Sequence, residues 1–411
     1  MKFFLLLTLA LVTCYANAQK PQKIALKSGN WIAELALNSH DKLPFNFVVS
    51  KTIDGYSFMV ENGDEMIQLN DPEQKGDSLY VRFPFFNSML VFKADTKRSI
   101  NGYWINFNKK GVYKIPFSSK KKRSQRFSLA KKNLMDTNLD GKWEVTFEPN
   151  TSSAYPAVGV FSQEKGKSEI SGTFLTETGD YRFLEGNIIK DSVFLSCFDG
   201  CHAFLFKAAL KGETLDGKFF SGTHWSSFWE GKRNENFELK SPDDLTYIVD
   251  DKEVTFNLKD MEGKDFSFPN ENYDGKVTII QIMGTWCPNC LDETIYFKEL
   301  YDTYHSDGLE IISIAYEVGN TTEDYIESVT RLRNKLSLNF TFLIGGSAKK
   351  RLASDHFSML NGIISFPTSI FIGRDGQVKR IHTGFNGPGT GEYYTNYVQQ
   401  TNSLIENLLA Q

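Results

Sequence analysis

Cys287 and Cys290 enclose Pro288 and Asn289 in the stretch Met283-Gly284-Thr285-Trp286-Cys287-Pro288-Asn289-Cys290. Two thiols at this spacing serve as a staple, as half of a zinc site, or as a dithiol that cycles with a disulfide. A zinc site needs a second pair at a matching spacing, and none is present. Cys197 and Cys201 form another local pair around Asp199-Gly200, a hairpin signal. A three-residue loop there would set them opposite each other, within reach of a cross-strand disulfide. Free thiols, or an auxiliary redox or metal contact with His202, are the other uses of that pair. The six histidines form no ligand-spaced cluster, and no metal is expected.

Disulfide exchange requires an accessible, activated sulfur, a second thiol to resolve the mixed disulfide, and a surface that aligns the substrate. An apolar, β-favouring run at 277–282 precedes the pair, and a helical pattern follows at 292–304. Cys287 then falls at a helix start, where unpaired N–H groups and the helix dipole favour a thiolate. Pro288 suits the first helical position because its missing donor costs nothing there. Cys290, one turn in, is shielded. The expected roles are attack by Cys287 and resolution by Cys290, with Trp286 shielding Cys287 and lining the substrate surface. Phe366-Pro367-Thr368, directly before the apolar run Thr368–Ile372, is the candidate for alignment.

The chain has 411 residues, enough for two or three domains. Its 41% hydrophobic content supports packed cores, and a net charge of −4 argues against nucleic-acid binding. Lys2, the apolar run 3–12 and Ala16-Asn17-Ala18 have the form of a cleaved signal peptide over 1–18. Lipid attachment at Cys14 is the alternative, disfavoured by Thr13 before it. The apolar run is too short to span a bilayer.

Residues 19–118 and 140–240 read as two β modules with period-two patterns and Gly-containing turns. They repeat each other. Gly29-Asn30-Trp31 matches Gly141-Lys142-Trp143, Asp77-Ser78-Leu79-Tyr80 matches Asp191-Ser192-Val193-Phe194, and Phe92-Lys93-Ala94 matches Phe206-Lys207-Ala208. Each is expected to be barrel-like or sandwich-like. A basic linker, 119–139, separates them and reads as a solvated, extended segment, with an anionic membrane surface as its alternative partner. A second linker spans 241–255. From 256 to 411 strands and helices alternate, which predicts an α/β domain with a mixed sheet.

The combination of Trp286-Cys287-Pro288-Asn289-Cys290 after a strand, Pro367 before a later strand, and Asp375-Gly376 in the following hairpin resembles the thioredoxin superfamily. Gly284-Thr285-Trp286-Cys287 narrows this to a resemblance to exported TlpA/ResA-like thiol-disulfide oxidoreductases, over about 256–411. The resemblance implies a cis Pro367 facing the dithiol, no cofactor besides the Cys287–Cys290 disulfide, exported disulfide-containing proteins as partners, and a membrane electron donor. The β modules resemble N-terminal regions attached to such domains in Bacteroidetes-type bacteria.

Two departures refine this. Thioredoxin has a buried Asp six residues before its first cysteine; Gln281 stands here, so that position supplies no carboxylate for such a relay. Peroxiredoxins need Thr or Ser three residues before their cysteine and a Pro further upstream; Gly284 and Ile280 stand here, which argues against peroxide chemistry. Asn289 is neutral and lends no charge to the thiolate. The pair is therefore expected nearer thioredoxin's roughly −270 mV than DsbA's roughly −120 mV. The reading is a periplasmic disulfide reductase. Its competitor is a binding protein whose β modules hold a ligand or partner.

Overall fold

The computed structural model describes residues 24–69, 71–109, 111–122, 125–127, 138–249 and 252–411. The leader read at 1–18, with Cys14, lies outside the described residues, as do residues 128–137 of the basic linker.

The first module contributes β1 (Gly29–Ala36), β2 (Lys42–Lys51), β3 (Tyr56–Asn62), β4 (Glu65–Leu69), β5 (Glu73–Lys75), β6 (Ser78–Arg82), β7 (Ser88–Thr96), β8 (Ser99–Asn106) and β9 (Lys114–Lys121). They form one antiparallel sheet in the order β4-β3-β2-β1-β9-β8-β7-β6-β5. The second module contributes β10 (Gly141–Phe147), β11 (Tyr155–Ser162), β12 (Glu169–Thr176), β13 (Gly179–Asp180), β14 (Leu184–Ile189), β15 (Ser192–Phe198), β16 (Ala203–Lys211), β17 (Thr214–Ser221) and β18 (Trp225–Arg233).

The two modules share one connectivity. β1 lies between β2 and β9, and β10 lies between β11 and β18. Trp31 and Trp143 occupy the same place, and each indole N–H donates to the carbonyl four residues upstream, Lys27 O and Leu139 O, at 3.0 Å. The modules differ in closure. β12 pairs with both β11 and β14, so the second sheet closes into a barrel. Its interior is packed with the buried side chains of Phe147, Phe174, Phe206, Phe219 and Trp229. In the first module β4 and β5 do not pair, and the sheet stays open.

That opening is occupied by the second module. Phe198, at the end of β15, lies 4.4 Å from Phe45, 5.5 Å from Phe83 and 5.3 Å from Trp104 between ring centroids. The Asn62 side chain donates to Phe198 O at 3.0 Å and accepts from Phe198 N at 3.1 Å. A fully buried aromatic contributes about 2–3 kcal/mol by apolar burial alone, so the modules pack as one body.

Both segments read as linkers differ from that reading. β9 runs on to Lys121. Arg126 is not solvated: its guanidinium is buried, 2.9 Å from Glu185 Oε2, and donates to Ser196 O at 3.0 Å. Pairing is what makes the burial of such a charge tolerable. In 241–255, the helical turn Pro242–Asp244 lays Asp243 against Arg380 and His382, and Val249 N donates to Met359 O at 2.8 Å. This stretch therefore packs on the C-terminal domain.

That domain contains β19 (Phe256–Asp260), β20 (Asp265–Phe268), β21 (Val277–Met283), α1 (Pro288–Tyr304), β22 (Leu309–Glu317), α2 (Thr322–Leu336), β23 (Thr341–Ser347), α3 (Lys350–His356), β24 (Thr368–Ile372), β25 (Val378–Thr383) and α4 (Glu392–Leu409). The sheet order is β20-β19-β23-β22-β21-β24-β25. β21, β22 and β23 are parallel neighbours, while β24 and β25 run antiparallel. All seven residues of central β21 are buried, as a strand covered on both faces must be. Thr321 caps α2 through a capping box with Asp324. Among the described residues, no helix is long and apolar enough to cross a membrane.

Candidate active site

β21 delivers the chain to the loop 284–286, and α1 begins at Pro288. Cys287 is the N-cap: its sulfur accepts from Cys290 N at 3.3 Å. The Cys287 thiol faces Phe366 O at 3.5 Å, and the Phe366–Pro367 peptide is cis. Pro367 O is itself held by Gly384 N at 2.8 Å. Cys287, Cys290, Trp286, Pro288 and Pro367 thus converge on one place. Cys287 is 7% exposed and Cys290 is fully buried. Burial, followed by the Cys287 sulfur beside it, pushes the Cys290 thiol well above its usual range.

The loop before Cys287 is locked from β22. Glu317 accepts from Thr285 N and Thr285 Oγ1, both at 2.7 Å. Burial pushes the Glu317 carboxyl up to about 7. The Trp286 indole donates to Tyr316 O at 2.9 Å and meets Phe366 edge to face. A Cβ at Gly284 would run into that indole and into Tyr316 O, so glycine is what lets Trp286 lie there. Asn289 is committed elsewhere, donating to Phe385 O at 2.9 Å.

Gln281 is buried, and its amide donates to Glu293 Oε2 at 2.9 Å and Thr294 Oγ1 at 3.1 Å. Glu293 also accepts from Ser369 Oγ at 2.9 Å. Burial, opposed by these two donors, pushes its carboxyl up to about 8. The Glu293 charge in turn raises Cys290. A buried acid therefore stands near the dithiol, supplied by α1 instead of β21. The sequence reading missed it, although Glu293 lies three residues after Cys290 and so on the same helix face. Lys350, exposed at the start of α3, has its pKa lowered by desolvation, an effect that the charge of Cys287 opposes.

The second β module covers this face. Ser365 Oγ donates to Thr178 O at 3.0 Å, Gly387 N donates to Asp180 Oδ2 at 2.6 Å, and a Cβ on Gly179 would lie 2.9 Å from the Asn289 amide. Arg182 joins all three parts of the chain. It contacts Glu65 at 2.5 Å, Asp199 at 3.7 Å, and Asp292, two residues past Cys290. A cleft of about 410 Å³ opens beside Asn289, lined by Tyr155, Thr178, Tyr181, His202 and Phe204.

The expected Cys197–Cys201 bridge is corrected. Phe198 pairs with Ala203, so the loop has four residues, 199–202, and Cys197 stands opposite Phe204. Both thiols are free. Cys197 points into the barrel core, whereas Cys201 packs on the cluster that holds Cys287 and Cys290. Two side chains that enter different cores cannot meet without backbone movement. Among the described residues, no group of three or more His, Cys, Asp or Glu is arranged to hold a metal ion.

Residues 248–397 match the Redoxin family. Over 129 residues the chain is 30% identical to the thiol-disulfide oxidoreductase ResA of Geobacillus thermodenitrificans, covering 31% of this chain and 66% of that one. Over 131 residues it is 31% identical to the ResA of Halalkalibacterium halodurans, covering 32% and 66%. The chain thus spans just under two thirds of these relatives. Among solved structures, StoA of Bacillus subtilis is 24% identical and covers 35% of this chain and 98% of its own, with a TM-score of 0.25. The C-terminal domain of this chain thus carries a Redoxin segment and is similar to the thiol-disulfide oxidoreductase ResA.

Proposed function

We propose that the protein is a thiol-disulfide oxidoreductase that reduces disulfides in exported proteins, with Cys287 as nucleophile and Cys290 as resolving thiol. The observation that carries this is the Cys287 sulfur held between the Cys290 N–H in the first turn of α1 and the Phe366 carbonyl. In that position a substrate disulfide can lie along residues 366–367 and be attacked in line. Cys287 forms the mixed disulfide. Cys290, one turn into the helix, then attacks Cys287 and releases the reduced product. Cys290 must lose a proton to do so, and Glu293 is the nearby buried acid whose raised pKa suits it to accept one. A membrane electron donor would restore the dithiol, since the chain is read as periplasmic.

The names of the ResA relatives support the reaction class. The packed barrel interior speaks against the reading of a β module that holds a ligand inside. Contacts of Thr178, Gly179 and Asp180 with the active-site loops favour the modules as selectors of what reaches Cys287.

Insulin reduction by the full chain tests the assignment. Cys287→Ser and Cys290→Ser are each expected to abolish turnover, and Cys290→Ser to retain substrate as a mixed disulfide. Undiminished turnover in either variant would refute the roles. Equilibration with glutathione tests the direction: a potential near DsbA's roughly −120 mV would overturn the reductase reading.

A further inference from the structure

Cys201 sits at the tip of the β15–β16 hairpin, and that tip is fixed from several sides. Asp199 Oδ1 accepts from Cys201 N at 2.8 Å and from His202 N at 2.5 Å. Ser88 Oγ donates to Gly200 O at 2.6 Å, and Asn106 Nδ2 donates to Cys201 O at 3.3 Å. Gly200 has φ +87, and a Cβ there would strike the Phe83 ring. Only glycine seats the tip this deeply in the first module.

The tip is thereby held so that the Cys201 thiol donates to Trp286 O at 3.3 Å. That carbonyl belongs to the peptide bond leading into Cys287. Cys201 packs on the same cluster as Cys287 and Cys290, and charge on Cys287 raises the Cys201 thiol further after burial has raised it. Three sulfurs, contributed by two modules, therefore lie around the peptide bond that leads into Cys287. Cys197, inside the barrel, is not among them.

We propose that Cys201 is a third redox thiol of this site and exchanges with the Cys287–Cys290 disulfide. The Cys201 sulfur attacks the Cys287 sulfur. A Cys201–Cys287 bond forms as the Cys287–Cys290 bond breaks, and the proton of Cys201 passes to Cys290. One disulfide and one thiol stand on each side, so no oxidant or reductant is consumed. Burial holds both Cys201 and Cys290 in the protonated form, so neither side gains from a large difference in proton affinity. The product ties the second β module to the C-terminal domain across the catalytic face. It is a parked state in which Cys287 is closed to substrate and Cys290 is free. This inference rests on Cys287–Cys290 being a redox pair.

The test uses the full chain with Cys290→Ser, reduced and then treated with dithiodipyridine. The reagent places a thiopyridine on Cys287, and attack by Cys201 releases it as a second equivalent of thiopyridone. Peptide mapping without reduction is expected to find Cys201 linked to Cys287. With Cys201→Ser added, the Cys287 adduct should persist. A persistent adduct in the Cys290→Ser protein, with Cys201 still alkylatable after unfolding, overturns the proposal. The wild-type chain gives a second reading that does not depend on folding of the variant. Oxidised and quenched in acid, it should contain a fraction with Cys290 alkylated and Cys201 protected; its absence in a chain that reduces insulin counts against the third thiol alone. A Cys201–Cys287 link in a chain that does not reduce insulin would instead leave the third thiol standing and overturn the reductase reading.

Discussion

The Gln281 amide donates to the Glu293 carboxylate at 2.9 Å, inside the core and between strand β21 and helix α1. The residue at the position of thioredoxin's buried acid thus holds a buried acid from α1. Proton transfer to or from a positioned group contributes about 10²-fold or more. Glu293→Gln should lower the single-turnover rate of mixed-disulfide resolution by about that factor and remove a rate inflection near pH 8. Stopped-flow rates across pH check this, and an unchanged profile would remove Glu293 from the mechanism.

The same carboxyl makes a prediction about stability. Its pKa in the fold is raised from 4.5 to about 8. A raised value contributes stability that is present in full below pH 4.5 and is lost as pH rises through 8. From pH 5 to pH 9 the unfolding free energy from urea titration should fall further for the wild type than for Glu293→Gln, by on the order of 1–3 kcal/mol.

Glu317 links β22 to the loop that carries Trp286 and Cys287. Its carboxyl, raised from 4.5 to about 7, loses its contribution to stability as pH rises from 4.5 through 7. The ionised form accepts both Thr285 donors. A tryptophan fluorescence transition near pH 7 is expected in the wild type, and Glu317→Gln should abolish it. Retention of the transition in the variant would assign it to another group.

Asp292 ties α1 to Arg182, which also faces Glu65 and Asp199. Removing Arg182 would leave those carboxylates buried without their cation, a loss of about 3–5 kcal/mol. Asp292→Asn is the milder cut, releasing one arm while the cation keeps its other partners. It should raise the rate of Cys287 alkylation by iodoacetamide several-fold without unfolding the chain. An unchanged rate would show that this ion pair does not hold the cover closed.

Phe198 fills the open first module from the second. Truncation of a buried Phe costs about 3–5 kcal/mol. Phe198→Ala should lower the urea midpoint of both β modules together, followed by their tryptophans. Independent transitions, with the second module unaffected, would contradict the single packed body.

What the sequence determined by itself is local. Period-two patterns and the repeated Gly-x-Trp placed the β modules, because in-out alternation follows from the pleat. An apolar strand, a proline at the first helical position and Thr321 with Asp324 set out β21, α1 and α2, since each signal lies within a few residues of its effect. The dithiol was legible for the same reason. Tertiary structure alone decided the rest. Arg126 looked like part of a charged linker, yet Glu185 and Ser196 O, 59 and 70 residues away, give it partners that allow burial. One extra residue in the 199–202 loop separated Cys197 from Cys201 and turned the second toward Trp286, 85 positions on. Glu293 became a buried acid with a raised pKa only when β21 and β24 closed over it. Burial and partnership depend on which distant surfaces fit together, and no local period encodes that.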